Sequence, residues 1–460
     1  MIHIPHIDFI DHSTTDITSM QNVDTLIYAG WIIPVVPENV VYEHHAIAIN
    51  DGKIVAILPS DQAARLFTAR LTHRLNTHLV IPGLINTHTH AAMTLLRGFA
   101  SDLPLSDWLT QRIWRAEAAC VSREFVAEGT KLAMAEMLRG GVTCFNDMYY
   151  FPDVVAEVVE QVGMRASIGL IVIDFPTVWA QNPDEYLQKG REVYHRFEHH
   201  PLLKFTIAPH APYTVSDAPL QAAYQLAESL DLRFHIHVHE TADEITQSLA
   251  QYQMRPLERL DKLGVLSSRT LAVHTTQLTE AEIAQLAEKS VHVLHCPESN
   301  LKLASGFCPI TQLHQAGVNV ALGTDGAASN DDLDMLGEMR TAALLAKGVS
   351  QNAKSIPASV ALQMATLNGA RALGIDHLTG SLEAGKAADL VALDMQQIET
   401  QPIYDILSQL VYSVSRERVT DVWVAGKHLL KSRALTSLDI RDVAAKTVLW
   451  RDKVNSTTEK

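Results

Sequence analysis

His88 and His90 lie one residue apart at the end of an apolar stretch that begins at Leu79. If that stretch is a β-strand, side chains two positions apart project from the same face, and both imidazoles face one point. Imidazole is the commonest protein ligand of transition metals, so the pair is a candidate metal clamp. The spacing alone is weak evidence, because the chain has other close histidine pairs, such as His199 and His200.

Other ligand-type side chains stand at the ends of further predicted strands. Strand alternation places His235, His237 and His239 on one face of a single strand, and it does not choose among them. His274 and Asp325 each follow a short apolar run. The first histidine pair, a third histidine and an aspartate would make a nitrogen-rich metal site with one position left for water, which is typical of catalytic zinc.

The elements that must position these side chains are short strands alternating with amphipathic helices. Ser122 is expected to cap one such helix, which ends near Gly140 and Gly141. Eight such units predict an α/β fold of the closed (β/α)₈ TIM-barrel type, with its chemistry at the carboxyl ends of the strands. The eight predicted strands are the one that ends at His88, and then 142–146, 165–173, 203–210, 233–240, 270–274, 291–295 and 318–325.

Both ends of the chain have β patterns instead. Predicted hairpins turn at Ala29 and Gly30, at 50–52, and at the Ala-Gly pair within 422–430. A short helix is expected near 61–69. We expect the two ends to pair into one small β-sandwich domain of residues 23–81 and 385–450, beside a barrel of residues 82–384. Residues 1–22 are expected to be a mobile, histidine-rich tail.

Composition excludes several classes of protein. The chain has 460 residues, of which 47% are hydrophobic and 19% charged, so it can bury a large core. Its net charge of −15, without a basic stripe, argues against a nucleic-acid partner. The apolar runs are too short to span a membrane, and we expect no membrane partner. Four scattered cysteines without a CxxC pair predict a reducing compartment, so a cytoplasmic protein is expected.

Six motifs in order resemble the amidohydrolase superfamily, and the resemblance runs from about residue 23 to about residue 430. The sequence has no lysine in a bridging-carbamate motif, so it resembles the branch with a single metal, and within it the methylthioadenosine/S-adenosylhomocysteine deaminase family. The unrelated zinc deaminases with HxE and PCxxC motifs are excluded, because the chain has no PCxxC. The motifs are 82–90 (PGLINTHTH), 209–213 (PHAPY), 237–240 (HVHE), 272–274 (AVH), 297–302 (PESNLK) and 323–330 (GTDGAASN).

The resemblance implies a role for each motif residue. It makes His88, His90, His237 and Asp325 the ligands of one metal ion per subunit. Zinc is expected, and Fe²⁺, Mn²⁺ or Ni²⁺ would suit the same ligands. The catalytic residues it implies are Asp325 as acceptor of a proton from the attacking water, Glu240 as proton donor to the purine ring, and His274 as hydrogen-bond partner of the attacking oxygen.

The same resemblance implies the residues that contact substrate. Glu117 would accept hydrogen bonds from both ribose hydroxyls, and His210 would touch the substrate together with Glu240 and Asp325. Arg165 is one candidate for the carboxylate of a homocysteine tail. The remaining candidates are weaker: Leu95, Leu96, Trp108 and Trp114 for a thioether pocket, and His295 and Cys296 either for substrate contact or as a buried pair at a strand end.

The sequence therefore predicts hydrolytic deamination of 5′-methylthioadenosine, or of S-adenosylhomocysteine or adenosine, to an inosine analogue and ammonia. The alternatives are a guanine or pyrimidine deaminase, an s-triazine aminohydrolase or chlorohydrolase, and a barrel kept as a scaffold with a dead site. The expected partner is a small purine nucleoside, and a homo-oligomer is expected only from the family.

Overall fold

The computed structural model describes residues 20–458, and the predicted tail lies outside them up to residue 19. Two eight-stranded sheets carry the fold. One is a parallel, nearly closed barrel whose strands follow each other in chain order, which confirms the predicted (β/α)₈ architecture. Its strands are β5 (Leu84–Thr89), β6 (Val142–Tyr149), β7 (Arg165–Val172), β8 (Leu203–Pro209), β9 (Arg233–Val238), β10 (Thr270–His274), β11 (His292–His295) and β12 (Val320–Leu322).

The first and last barrel strands meet through a few hydrogen bonds. The Thr87 hydroxyl donates to the Leu322 carbonyl over 2.8 Å, and the Asp325 N–H donates to the His88 carbonyl over 3.0 Å. These contacts bring the carboxyl end of β12 beside the histidine pair at the end of β5. The barrel therefore closes between β5 and β12, at the place where His88, His90 and Asp325 lie.

Helices cover the outside of the barrel. Ser122 caps α4 by accepting a hydrogen bond from the Phe125 N–H, as predicted. Thr279 and Glu282 form a capping box at α10. The helices are α4 (Arg123–Arg139), α5 (Pro152–Val162), α6 (Pro183–Phe197), α7 (Asp217–Ser229), α8 (Ala242–Tyr252), α9 (Pro256–Lys262), α10 (Glu280–Glu288), α11 (Pro297–Lys302), α12 (Ile310–Gln315), α13 (Ala327–Asn330), α14 (Met335–Ser350), α15 (Ala358–Ala365) and α16 (Leu367–Leu373).

A long connection between β5 and α4 crosses the carboxyl end of the barrel. It contains a 3₁₀ turn (Ala91–Leu96), a short turn α2 (Leu105–Asp107), a π-helical turn (Trp108–Ile113) and α3 (Trp114–Cys120). π-helical turns are rare and often mark functional sites. This turn and the start of α3 present Trp108 and Trp114 towards the barrel, as described below.

The second sheet unites the two ends of the chain, as predicted. Its core includes Ile27, Ile47, Val80, Leu390 and the fully buried Trp423, so strands from both ends share one apolar cluster. The strands, in sheet order, are β16 (Ala434–Leu435), β15 (Lys427–Lys431), β14 (Val419–Val424), β13 (Leu390–Asp394), β4 (Phe67–Pro82), β1 (Gln21–Ile32), β2 (Tyr42–Asn50) and β3 (Lys53–Pro59). Helix α1 (Ser60–Leu66) precedes β4, where a short helix was predicted.

Two of the three predicted hairpins form, and one prediction is wrong. Asp51 and Gly52 turn β2 into β3, and Ala425 and Gly426 turn β14 into β15, all with positive φ. The Ala29–Gly30 pair, in contrast, lies inside the continuous strand β1. Gly30 is needed there for space, because a side chain at this position would collide with the backbone oxygen of Asn76 in β4.

The C-terminal elements return to the barrel. Helix α17 (Ile406–Tyr412) and two 3₁₀ turns (Ile398–Thr400 and Arg416–Arg418) connect the strands of the second sheet. Helix α18 (Ile440–Thr458) then packs on α3 and α4, where the rings of Trp450 and Phe125 stand edge to face 5.2 Å apart. Among the described residues, no helix combines the length and the apolar character that crossing a membrane requires.

Candidate metal centre and barrel pocket

Four side chains from three barrel strands converge at the carboxyl end of the barrel. One potential ligand atom from each of His88, His90, His237 and Asp325 lies within 4.8 Å of the other three. Nε2 of His88 and Nε2 of His90 are 3.3 Å and 3.2 Å from Oδ1 of Asp325. Nε2 of His237 is 3.1 Å from Nε2 of His88. Three imidazoles and one carboxylate around one point fit a divalent metal ion.

Backbone carbonyls fix the orientation of two of these rings. Nδ1 of His90 is 2.6 Å from the carbonyl oxygen of Met148, and Nδ1 of His237 is 2.7 Å from that of His210. A carbonyl can only accept, so each Nδ1 carries the proton and each Nε2 lone pair faces the centre. Metal-binding histidines are oriented in this way in general.

The geometry distinguishes the three histidines that strand alternation left equivalent. His237 joins the cluster, whereas His235 lies behind it, with its Nε2 3.0 Å from Nδ1 of His88. His239 faces a different neighbour, since its Nε2 accepts the N–H of Leu257 over 3.1 Å. The positive φ of His239 breaks the strand alternation and turns its side chain away.

The cluster is electrostatically prepared for a cation. Burial by itself raises the pKa of Asp325, but hydrogen bonds from His88 and His90 outweigh burial and hold that pKa well below its usual range. Burial lowers the pKa of His88 to about 4. Burial also lowers the pKa of His90, but the hydrogen bond and the charge of Asp325, with smaller contributions from Met148 and Asp147, together outweigh it and raise that pKa to about 9. The carboxylate of Asp325 therefore favours a positive group beside it, and a divalent metal ion would meet this requirement.

Asp325 is held by two hydroxyls besides the histidines. Ser299 and Ser329 each donate a hydrogen bond of 2.7 Å to its Oδ2. Oδ1 accepts the N–H of Gly326 over 2.8 Å and faces the Nε2 atoms of His88 and His90. The first of these serines lies in the 297–302 motif, and the second in the 323–330 motif.

Glu240 and His274 stand beside the cluster. Burial raises the pKa of Glu240, so its carboxyl group holds a proton more readily than a free glutamate does. Nε2 of His274 is 3.8 Å from Oε1 of Glu240, and Nδ1 of His274 is 2.9 Å from Oδ1 of Asn300. The Glu240 N–H donates a 2.7 Å hydrogen bond to Oε2 of Glu244, another buried acid.

A pocket of about 680 Å³, including its open mouth, lies above the centre and is called the barrel pocket here. It brings together the predicted catalytic residues, the predicted substrate residues Glu117 and His210, and both tryptophans of the thioether prediction. Neither Leu95 nor Leu96 lines it. The lining residues are His90, Met93, Leu105, Trp108, Leu109, Ile113, Trp114, Glu117, Met148, Tyr149, Tyr150, Ile171, Ile173, Phe175, His210, Tyr213, His237, Glu240, His274, Leu303 and Asp325.

Glu117 is a buried carboxylate in this pocket. Its side chain is 8% exposed, and its Oε1 accepts a 2.7 Å hydrogen bond from the Tyr149 hydroxyl. Burial raises the pKa of Glu117 to about 7. Such a carboxylate needs hydrogen-bond donors from a bound molecule, because the pocket itself supplies few.

Arg165 does not reach the pocket, and the prediction that it binds substrate is wrong. It is the first residue of β7, at the opposite end of the barrel, and its guanidinium pairs with Asp389 at 2.9 Å and 3.2 Å. Both side chains are buried, and Asp389 also accepts the N–H of Ala425. The pair therefore joins the barrel to the second sheet. His295 and Cys296 do not line the barrel pocket either.

Some contacts were not anticipated from the sequence. Strand alternation does not separate His235 from His237, and the motifs assign no role to Ser299, Asn300 and Ser329. Tyr149 lies beyond the predicted end of its strand, which continues three residues further than expected. The sequence signal that could have indicated its role is a tyrosine at the carboxyl end of a barrel strand, where the binding pocket is expected.

Proteins of known name resemble this chain along nearly its whole length. A protein of Teredinibacter turnerae named 5-methylthioadenosine/S-adenosylhomocysteine deaminase is 48% identical over 439 residues, which are 95% of this chain and 99% of that protein. A protein of the same name from Aquifex aeolicus is 43% identical over 410 residues, covering 89% and 94% of the two chains.

Solved structures also resemble this chain along most of its length. The crystal structure of an adenosine deaminase from Xanthomonas campestris with bound zinc has a TM-score of 0.94 and 52% identity, and the match covers 95% of this chain and 100% of that one. The guanine deaminase of E. coli shares the fold, with a TM-score of 0.81 and 22% identity over 88% of this chain and 99% of its own. The model of the amidohydrolase family matches residues 79–429. The chain belongs to the amidohydrolase family.

Proposed function

We propose that this protein is a metal-dependent aminohydrolase that removes the 6-amino group of 5′-methylthioadenosine and related adenine nucleosides. The products are the inosine analogue and ammonia. The observation that carries the proposal is the buried Glu117 carboxylate in the same pocket as the His88, His90, His237 and Asp325 cluster. The names of the similar proteins support the same reaction.

The four clustered side chains would hold the metal ion, which we propose to be zinc. Bound there, the metal supplies the nucleophile of the hydrolysis by lowering the pKa of a water towards neutrality. Nitrogen-rich ligand sets suit zinc, and the zinc in the Xanthomonas campestris structure supports this choice over iron, manganese or nickel.

The residues around the cluster can move the protons that deamination requires. Glu240, with its raised pKa, donates its proton to the ring nitrogen beside the carbon under attack. Asp325, an ionised carboxylate, accepts a proton from the attacking water. Nδ1 of His274 donates to Asn300, so its Nε2 is free to accept a hydrogen bond from the attacking oxygen. Of the two protons of the water, one leaves with the amino group as ammonia, and the other replaces the proton that Glu240 gives to the ring nitrogen.

Glu117 selects for a ribose. A vicinal diol offers two hydroxyl donors to the carboxylate, whereas guanine, a pyrimidine or a triazine without ribose would leave this buried acid unpaired. The pocket geometry therefore favours a nucleoside over the free bases and triazines considered as alternatives. A dead scaffold is disfavoured by the complete cluster and its oriented rings.

The remaining lining favours an uncharged 5′ substituent. Trp108, Trp114, Ile173 and Phe175 offer apolar surface, and no lysine or arginine is among the described lining residues. A homocysteine tail would bring a carboxylate into a pocket whose described lining offers it no lysine or arginine. We therefore place methylthioadenosine and adenosine ahead of S-adenosylhomocysteine.

Ultraviolet absorbance of methylthioadenosine incubated with zinc-loaded protein tests the proposal. Conversion of the adenine chromophore to hypoxanthine, with release of one ammonia per nucleoside, is the expected result. Unchanged absorbance with metal shown to be bound would overturn the substrate assignment. Guanine and a chlorotriazine, followed in parallel, serve as comparison substrates.

A further inference from the structure

His295, the last residue of β11, is a buried histidine without a hydrogen-bond partner. It is 1% exposed, and neither ring nitrogen has a partner among the described residues. Burial lowers the pKa of His295 to about 3, so the ring is neutral and one nitrogen offers a lone pair. Buried polar groups are almost always hydrogen-bonded, and an exception indicates a missing water, ion or other ligand.

His295 also lines a cavity outside the barrel pocket. Its space is about 340 Å³, including its open mouth, and residues of β11, α12, α14 and the loop before α12 line it. We call it the outer cavity. It shares no lining residue with the barrel pocket. The lining residues are His295, Cys308, Pro309, Ile310, Thr311, Gln312, Leu345, Ala346, Val349 and Ser350.

Cys308 places a free thiol in the same cavity. Its side chain is 6% exposed, and its Sγ lies 3.4 Å from the Thr275 hydroxyl. Burial raises the pKa of Cys308 to about 12, so the thiol stays protonated at neutral pH. Such a thiol is a poor nucleophile, but a soft metal ion can displace its proton and bind the thiolate.

We propose that the outer cavity is a second metal site, which takes a soft, thiophilic cation such as Zn²⁺, Cd²⁺ or Cu⁺ between His295 and Cys308. Binding forms a bond from the metal to an imidazole nitrogen and another to Sγ. The Cys308 proton leaves to solvent, and no electron is transferred. Imidazole and thiolate are the ligand types that these ions prefer. Gln312 is a polar residue of the same lining, and water can complete the coordination.

Two short chains of contacts link the residues of the outer cavity to His274 in the barrel pocket. Cys308 touches Thr275, which follows His274 directly in the chain. His295 leads into α11, whose Asn300 holds Nδ1 of His274. A cation that draws Cys308 and His295 together would pull on both supports of His274. We therefore expect occupancy to lower kcat while KM for the nucleoside stays nearly constant.

Cadmium titration of the zinc-loaded protein tests binding without any assay of turnover. Thiolate bound to Cd²⁺ gives an ultraviolet charge-transfer band, which imidazole and carboxylate ligands at the metal centre do not give. Wild type is expected to gain this band with one Cd²⁺ per chain. Cys308→Ser is expected to lose it. Cys144→Ser, which removes another buried thiol, is the matched control and should keep it.

His295→Asn tests the second ligand with the thiol still present. Even outer partners of metal sites change affinity by about 10- to 100-fold, so loss of a direct ligand should weaken Cd²⁺ binding by at least about tenfold. Circular dichroism of each variant shows whether it is folded. Absence of the band in wild type, its persistence in folded Cys308→Ser, or unchanged affinity in His295→Asn would each overturn the proposal. Failure of the deaminase proposal would leave this absorbance test unaffected.

Discussion

The Tyr149 hydroxyl donates a hydrogen bond of 2.7 Å to the Glu117 carboxylate inside the barrel pocket. This bond occupies part of the carboxylate but leaves it able to accept further donors. It also ties the end of β6 to α3, in the long connection that covers the pocket. The hydrogen bond lowers the pKa of Glu117, but burial outweighs it and raises that pKa to about 7.

The ribose preference should therefore depend on pH. An ionised Glu117 accepts both hydroxyl hydrogen bonds, and the protonated form does not. We expect the ratio of kcat/KM for adenosine to that for 2′-deoxyadenosine to rise as the pH increases through about 7. Glu117→Gln, which cannot ionise, should give a low and flat ratio across this range. A wild-type ratio independent of pH would contradict the assignment of Glu117 to the ribose.

Glu240→Gln should abolish most turnover without loss of metal. The amide keeps the size of the side chain but cannot donate an acidic proton, and such proton transfers are worth about 10²- to 10⁴-fold. We expect kcat to fall by that factor. Metal content measured by atomic emission should stay equal to that of wild type, and near-normal kcat would show that the proton comes from elsewhere.

His235→Gln should weaken the metal site without touching it directly. Nε2 of His235 is 3.0 Å from Nδ1 of His88, so its loss frees that ring to reorient. Partners of this kind change metal affinity by about 10- to 100-fold. Competition with a chelator would measure the change. His292→Gln, on β11 and bonded to Asn319, is the control in which affinity should be constant.

Arg165→Met should destabilise the protein without altering substrate choice. It leaves the Asp389 carboxylate buried without its partner, which typically costs about 3–5 kcal/mol. The thermal midpoint should fall, and the double variant Arg165→Met/Asp389→Leu should recover part of the loss. The ratio of kcat/KM for S-adenosylhomocysteine and methylthioadenosine should not change. A selective loss of S-adenosylhomocysteine turnover would restore the substrate role that the geometry denies.

Glu244 should make stability fall as the pH rises. Burial raises the pKa of Glu244 to about 8, far above its ordinary 4.5. The folded state therefore binds more protons than the unfolded state between these values, and stability from this group declines from about pH 4.5 to about pH 8. Glu244→Gln can still accept the Glu240 N–H. The difference in thermal midpoint, variant minus wild type, should grow across that window and be smallest at its acid end.

Much of the barrel could be predicted from the sequence, because each strand is a short apolar run between helices and several end in ligand-type residues. The ligand set needed the family resemblance, since alternation treats His235, His237 and His239 alike. What separates them is backbone geometry, namely the positive φ at His239 and the carbonyl of His210 behind His237. No local sequence pattern predicts either feature.

Two Ala-Gly pairs in the second sheet also show that a local sequence pattern does not determine the backbone conformation. Ala425 and Gly426 have φ of 46° and 75° and form a turn, whereas Gly30 lies in an extended strand. The local sequences are alike, and the distant Asn76 backbone decides the outcome. The resemblance implies a substrate role for Arg165, and the sequence around it does not show its actual partner, Asp389, which is more than two hundred positions away.

The pairing of β4 with β13 has a consequence for synthesis of the protein. Leu79 lies opposite Leu393, and Pro82 lies opposite Leu390, so about 300 residues separate the partners. At about 5–20 residues per second, a ribosome needs roughly 15–60 s to make the intervening chain. One edge of β4 stays unpaired during that time, and exposed strand edges recruit other chains. The nascent protein is therefore most vulnerable to aggregation before the final seventy residues emerge, and chaperone capture should be strongest at that stage.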